Sequence, residues 1–510
     1  MLFVKWNIIG WTGILLLSFS WYAWQCELID REHPSPVEWS YYTRTPFRAG
    51  YARMNPDFDG TGITDWARVG TEFRHCLERL EDPNLDGKGL TDVEDGETGG
   101  VTMIEGIDRL GYDVSAKSYP WRDGYFNVLM GCAQAAEFLD DMVRDKTRKI
   151  VFPKDMMIGP SNPDPRPVFP GMASAPLEEN CDRPYAPPEK FYMRVLTGKG
   201  FSTRHKLDAA LAYANWLEFK NAHSTAEDVY RWAIDIAASS VSNPELAVDH
   251  STGVLSDVGA SSATPNLLRA STAMATHFAR TGNVSSALPV FLSVLRARRA
   301  APIDPTPAAL QKYNGPQGSD TDYGTVYNLF RSIIRSSAYP TQGPSGDEPL
   351  LRSPFLETDC ADAEVMLYIG EILFATASTK LDDGLGWTKQ AVEVAQQGVS
   401  SVHLTNTEKK QCKACLEMGV NNWSTMVKKL VKEEHRLKDR EGNAGAVASG
   451  VGWRGWFGGG GSKKEDEQGG KSRWEKEADF VEALREKLIR EGITEQMAAN
   501  QGVPGSVWIG

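Results

Sequence analysis

The sequence is poor in residues on which several classes of protein depend. Its 510 residues include seven cysteines. That is too few for a disulfide-rich scaffold, and an odd number cannot pair completely. Acidic residues outnumber basic ones, 67 to 55, which gives a formal net charge of -12. A nucleic-acid-binding surface needs clustered Lys and Arg. We therefore expect no nucleic-acid partner.

Motifs that carry catalysis are also absent from the sequence. It contains no Walker P-loop, no H-E-x-x-H, no G-x-S-x-G and no dinucleotide-binding glycine pattern, and its eight histidines are scattered. We predict a non-enzyme with no catalytic residues, no bound cofactor and no metal. Because 41% of the residues are hydrophobic, the chain is still able to bury a core in more than one folding unit.

Only one run of the sequence is long and apolar enough to suggest a membrane segment. Residues 7–25 (NIIGWTGILLLSFSWYAWQ) carry no charge and have about the length that a helix needs to cross a bilayer. Lys5 precedes the run and acidic residues follow it, which favours an N-terminus inside and the rest of the chain outside. We predict a single-pass anchor at residues 1–26. A cleaved signal peptide is the alternative, but no clear cleavage site follows the run.

Composition divides the remainder of the chain into four parts. These are a juxtamembrane linker at 27–64, a helical repeat domain at 65–440, a flexible Gly-rich and charged linker at 441–472, and a C-terminal amphipathic helix with its tail at 473–510. Pro- and Gly-rich insertions interrupt the repeat domain at 81–100, 151–190, 301–321 and 340–354. Val and Ile follow helical spacing after residue 191, so the predicted fold class is all-α.

A pattern of small and aromatic residues recurs within the helical region. It occurs in two helix pairs with identical offsets, the second of them predicted at 265–281 and 284–300, and in a degenerate third copy. Such a pattern is typical of the tetratricopeptide repeat, whose helical hairpins stack into a solenoid; an ordinary helical domain is the alternative. The residues predicted to pack between the repeat helices are Ala214, Ala226, Tyr230, Ala233, Ala275, Phe278, Ala287, Phe291, Gly370 and Ala391.

Four segments resemble a known family. They are FYMRVLTGKGFSTRHKLDAALAYANWLEFKNAHSTAEDVYRWAIDIA, NLLRASTAMATHFARTGNVSSALPVFLSVLRARR, CADAEVMLYIGEILFATAS and KKQCKACLEMGVNNWSTMVKKL. Their order and repeat style resemble the fungal tetratricopeptide-repeat adaptor of the mitochondrial inner-membrane i-AAA protease, over roughly residues 107–440 and the N-terminal anchor. The Gly-rich tail and the insertions at 81–100 and 151–190 depart from that family.

The resemblance implies a location and partners. It implies a single-pass protein of the mitochondrial inner membrane, with a repeat domain in the intermembrane space that binds AAA protease subunits and unfolded protein substrates. The alternative is a scaffold for complex assembly in the secretory or endoplasmic-reticulum membrane. In that compartment Asn283 (NVS) and Asn422 (NWS) would be glycosylation sites, although Asn283 falls where a helix is predicted to begin.

Two acidic stretches, NPDFDGTGITD and DPNLDGKGLTD, are similar to each other. They place oxygen-bearing side chains at alternate positions before a glycine, as a calcium loop does. The position of the bidentate Glu is occupied by Trp66 in one and Val93 in the other, so we favour solvated Asp-Gly turns over calcium binding. The weak candidate ligands are Asp57, Asp59, Asp82, Asn84 and Asp86.

Cys412 and Cys415 form a C-x-x-C sequence. At positions i and i+3 their side chains lie on one face of a helix. Two buried helix cysteines are the favoured interpretation. A disulfide in an oxidising compartment, a redox-active pair and half of a zinc site are the alternatives.

Overall fold

The chain folds into two compact, mostly helical units in a computed structural model, which confirms the predicted all-α class. One unit comprises Met1–Ser242 and Pro316–Glu348, and the other Asn243–Gly315 and Pro349–Gly510. The structure describes residues 2–58, 60, 62–93, 111–168, 171, 173–303, 339–340, 342–352, 359–376, 381–401, 404, 406–448 and 472–491.

The first unit is a succession of helices in which each contacts the next along the chain. Side-chain caps fix several helix starts: Ser118 and Ser202 accept hydrogen bonds from backbone N–H groups in the first turns of the fourth and sixth helices. The helices are α1 (Leu2–Glu32), α2 (Tyr41–Met54), α3 (Trp66–Glu81), α4 (Tyr119–Phe138), α5 (Pro188–Leu196), α6 (Thr203–Phe219) and α7 (His223–Ala238).

Helix α2 lies within residues 27–64, which we expected to be a linker. It forms because its apolar face is buried against α3, and Phe73 of α3 is completely buried there. Two glycines admit the Phe73 ring: a Cβ atom on Gly50 of α2 would lie 2.8 Å from it, and one on Gly131 of α4 would lie 2.9 Å from it. The core of this unit therefore includes a segment whose sequence alone did not predict a helix.

Short strands accompany the helices of the first unit. Strands β1 (Thr91–Asp92) and β2 (Tyr112–Asp113) pair antiparallel, and β3 (Met142–Asp145), β4 (Val151–Pro153) and β5 (Cys181–Asp182) form a sheet in the order β4-β3-β5. The insertion at 151–190 thus supplies two edge strands, where proline is tolerated because one strand edge is unpaired. Residues 94–110 lie outside the described part of the chain, as do most residues of the insertion at 301–321.

The second unit also packs its longer helices in chain order. Consecutive contacts join the helix Pro265–Arg280 to Val284–Ala300 and then each helix to the next as far as the C-terminal helix, and Cys360–Thr376 also contacts Asn406–Ala448. The helix Asn406–Ala448 extends past the predicted end of the repeat domain at residue 440. The helices are α8 (Pro244–Ala247), α9 (Asp257–Ser261), α10 (Pro265–Arg280), α11 (Val284–Ala300), α12 (Cys360–Thr376), α13 (Leu381–Ser400), α14 (Asn406–Ala448) and α15 (Arg473–Arg490).

Helix α1 covers the predicted membrane anchor. Its large apolar side chains are exposed, with Trp6 at 68% and Leu17 at 74% of their full accessible surface. Among the described residues, none of the helices combines the length and the apolar character that crossing a lipid bilayer requires. The transmembrane helix predicted at 7–25 is therefore not found among the described residues.

Candidate functional site

The residues predicted to pack between repeat helices are all buried. Tyr230 of α7 donates a hydrogen bond of 3.0 Å to Asn215 of α6, which ties the two helices of that hairpin together. Phe291, at the equivalent position of α11, stacks on Tyr368 of α12 with 5.2 Å between ring centroids. The equivalent aromatic positions thus both serve contacts between helices.

The third helix pair, α12 and α13, crosses at very close range. A Cβ atom on Gly370 would lie 2.6 Å from Thr388 Oγ1 and 2.9 Å from the backbone oxygen of Gly384. Ala391, farther along α13, is also buried. Glycine at both facing positions lets the two backbones approach, as the small residues of helical repeats do.

The second acidic stretch is used for turns and helix contacts. The carboxylate of Asp86 accepts hydrogen bonds from Ser40 Oγ at 2.8 Å and from Thr43 Oγ1 at 2.5 Å. Asp82 Oδ1 accepts one from the backbone N–H of Asn84 at 2.8 Å, an Asx turn. These carboxylates therefore secure the start of α2 and a local turn.

The first acidic stretch contains a similar turn. Asn55 Oδ1 accepts a hydrogen bond of 3.0 Å from the backbone N–H of Asp57. Asp59 lies outside the described residues. Within the part of the chain that the structure describes, no three side chains of His, Cys, Asp or Glu converge as metal ligands do. The weak calcium-ligand assignment of Asp57, Asp59, Asp82, Asn84 and Asp86 stays a prediction.

The two cysteines of the C-x-x-C sequence do not pair with each other in the structure. Cys412 forms a disulfide with Cys360 of α12, and Cys415 remains a thiol. The disulfide crosses α13 at Gly398, where a Cβ atom would lie 2.6 Å from Cys412 Sγ. Burial raises the pKa of the Cys415 thiol to about 12, so this thiol stays protonated and unreactive. A pair between Cys412 and Cys415 is therefore not formed, and the true partner lies 52 residues away.

A polar cluster in the first unit was not predicted. Asp123 of α4 lies at its centre, with Oδ1 at 3.0 Å from Nε2 of His205 in the first turn of α6. Tyr339 donates a hydrogen bond of 2.5 Å to the other carboxylate oxygen. The His205 ring stacks on Phe126 with 4.3 Å between centroids. Separations of 82 and 216 residues explain why no sequence pattern indicated these contacts.

The hydrogen bonds of this cluster keep its carboxylate ionised. Burial raises the pKa of Asp123, but the hydrogen bonds with His205, Tyr339 and Tyr119 and the electrostatic effect of His205 together outweigh it, so the pKa lies below its ordinary value. Burial and the neighbouring carboxylate raise the pKa of Tyr339, which remains a phenol donor. A carboxylate that orients a histidine is one half of an acid–base arrangement. In this structure the Asp123 carboxylate connects α4, α6 and the segment at 339–340.

The C-terminal helix α15 docks on α13 and α14. Val481 and Leu488 of α15 are each only 1% exposed. Beside them, Glu477 accepts a hydrogen bond of 3.0 Å from the indole N–H of Trp423 and pairs with the ammonium group of Lys389. We call this surface, formed by Lys389 of α13 with Trp423 and His435 of α14, the α13–α14 groove.

Local sequence is sufficient to start α15 as a helix. Ser472 and Glu475 form a reciprocal capping box at its first turn, and Glu475 also lies 3.3 Å from His435 of the groove. Burying one Val and one Leu contributes about 3 to 6 kcal/mol, which ordering the helix against the groove partly offsets. The docking of α15 thus depends on two fully buried side chains, with polar contacts beside them.

Three features of the described residues are candidates for function. They are the helical hairpins with small residues at their interfaces, the cluster around Asp123, and the groove covered by α15. The sequence indicated the first of them and gave no sign of the second. Comparison of the chain with protein-family models, with curated proteins and with solved structures found no match.

Proposed function

We propose that this chain is a membrane-attached adaptor built of tetratricopeptide-like hairpins, which binds unfolded or misfolded membrane-associated proteins and delivers them to the mitochondrial i-AAA protease. The observation that carries the proposal is the equivalence of the α6–α7 and α10–α11 hairpins. Both bury the same series of small and aromatic side chains at the same offsets. Hairpins of this kind present extended surfaces that bind peptides and proteins.

The exposed apolar side chains of α1 support attachment to a membrane. The side chains of Leu15, Leu16 and Leu17 are all more than half exposed, and contact with lipid would remove them from water. The other end of α1 is fixed to the first unit, because the buried Asp30 pairs with Arg48 of α2 at 2.5 Å. In the proposal α1 attaches the chain to the inner membrane, and the two helical units lie in the intermembrane space.

A second candidate is a scaffold of the endoplasmic-reticulum membrane. The Cys360–Cys412 disulfide favours it, because disulfides persist in the secretory pathway, and the sequon residue Asn283 is exposed at the start of α11. Asn422, by contrast, uses its side-chain amide to bond Glu371 of α12. A glycan on Asn422 would break that contact, so this candidate depends on Asn283.

The test is protease protection of the tagged full-length chain, combined with affinity capture. Intact mitochondria and mitochondria with a ruptured outer membrane are treated with protease and compared, and the captured chain is analysed for bound AAA protease. We expect accessibility only after rupture, together with recovery of the AAA protease. An unrelated inner-membrane protein with the same tag is the control. Glycosylation at Asn283 and fractionation with the endoplasmic reticulum would instead establish the second candidate.

A further inference from the structure

Helix α15 differs from the other long helices of its unit in how the chain reaches it. The sequence between Ala448 and Ser472 is rich in glycine and includes the run FGGGGS. Helix α15 starts with its own capping box and has only two side chains that are fully buried. A segment that forms its own helix and buries little surface has the properties of a peptide ligand joined to its receptor.

The surface under α15 has a defined chemistry. Lys389 and His435 face Glu477 and Glu475, so basic groups of the groove meet acidic groups near the start of the docked helix. Trp423 supplies both an indole N–H donor and an apolar ring at 5.8 Å from the ring of Phe480. Opposite charges and an aromatic anchor give such a surface selectivity for one kind of helix.

The spacing within α15 specifies that kind of helix. Val481 and Leu488 are seven residues apart and share one face, because two helical turns separate them. Glu475 and Glu477 precede Val481 by six and four residues. The ligand is therefore an amphipathic helix with acidic residues at its start and apolar residues at positions i and i+7.

We propose that the α13–α14 groove is a docking site for amphipathic helices of this acidic type, and that α15 is its built-in occupant, which a helix of the same pattern on a partner protein displaces. The covalent connection gives α15 a high effective concentration at the groove. A partner helix therefore binds strongly only when α15 has been released. This goes beyond the adaptor function, since it holds whichever protease or substrate the chain serves.

The experiment uses full-length chains and a fluorescent peptide of residues 472–491. One chain carries Val481→Asp and Leu488→Asp, which release α15 by placing charges in its buried face. The matched control carries Ala483→Asp, a substitution at an exposed position of the same helix. We expect the peptide to bind the released chain at least tenfold more tightly than the wild type or the control. Equal affinity for all three chains, or binding to none of them, overturns the proposal.

Charge exchange tests the recognition itself. In the released chain, Lys389→Glu should lower the affinity for the peptide at least fivefold. A peptide with Glu477→Lys should restore the affinity for that variant. Should the double substitution unfold the chain, Glu477→Lys in the full chain replaces it, because this change removes the Trp423 and Lys389 contacts without burying a charge. If the Lys389→Glu chain loses affinity and the Glu477→Lys peptide does not restore it, docking through these charges is contradicted. This outcome does not depend on whether the protease assignment is correct.

Discussion

A single carboxylate, that of Asp123, connects three separate stretches of the chain in the first unit. Its two oxygens are used by His205 and Tyr339 at hydrogen-bonding distance. The side chain of Asp123 is only partly exposed, at 23%. The loss of such an acceptor lowers stability mainly because its hydrogen-bond partners are left unsatisfied. The first two predictions concern this residue.

Replacing Asp123 with Asn should destabilise the first unit by about 1 to 3 kcal/mol, because His205 and Tyr339 lose a charged acceptor. The free energy of unfolding in urea is the measurement. The control is Asp164→Asn at an exposed position, where a change within about 0.5 kcal/mol is expected. Equal effects of the two substitutions would show that the cluster contributes nothing to stability.

The same residue predicts a dependence on pH. The pKa of Asp123 is lowered from its ordinary value of 3.8, so the unfolded chain binds this proton more tightly than the folded chain does. The stabilisation is complete above pH 3.8 and is lost as the pH falls through the lower pKa of the folded state. Asp123→Asn should therefore flatten the acidic side of a plot of melting temperature against pH. An unchanged slope below about pH 4 would contradict this assignment.

At the scale of elements, the α12–α13 crossing depends on glycine. Gly370→Ala should destabilise the second unit by about 1 to 3 kcal/mol, since the new methyl group meets Thr388 and the backbone of Gly384. Gly386→Ala in α13 is the matched control, because a Cβ atom there has nothing within 4 Å. It should stabilise by up to about 1 kcal/mol through helix propensity. Chemical denaturation followed by circular dichroism measures the free energy of unfolding of both variants. A change of the same sign in both would argue against a close crossing.

The disulfide connects α12 to α14 across α13 and should stabilise the second unit by about 4 kcal/mol, from the loop of 52 residues that it closes. Alkylation of the unfolded, unreduced chain should modify five thiols, and alkylation after reduction all seven. Dithiothreitol should lower the melting temperature of the wild type but not that of Cys360→Ser/Cys412→Ser. Cys415→Ser is the control, and its response to dithiothreitol should match the wild type.

At the scale of the whole molecule, the membrane proposal rests on α1. Leu17→Asp should reduce binding to liposomes roughly a hundredfold, because exchanging Leu for Asp within a bilayer costs about 3 kcal/mol. Flotation of the full-length chain with liposomes is the measurement. Leu246→Asp is the control, since Leu246 is 62% exposed and lies outside α1. Equal flotation of the two variants would exclude α1 as the membrane attachment.

Some helix boundaries were predictable because local chemistry sets them. Thr264 caps α10 and Pro265 occupies its first turn, while Gly282, with a φ of 80°, follows its end. The helices predicted at 265–281 and 284–300 accordingly agree with α10 and α11. Helix α2 was missed because Pro46 and several polar residues weaken its pattern, and it is the burial of its apolar face that forms it.

The sequence by itself determined the helical class and the small and aromatic residues at the hairpin interfaces, because both follow from backbone preference and from a period of 3.6 residues. The tertiary structure alone decided that Cys412 pairs with Cys360, that Asp123 meets His205, and that α15 lies in the α13–α14 groove. Those contacts join residues that are far apart in the chain. Their proximity depends on how whole helices pack, and no local sequence pattern predicts it.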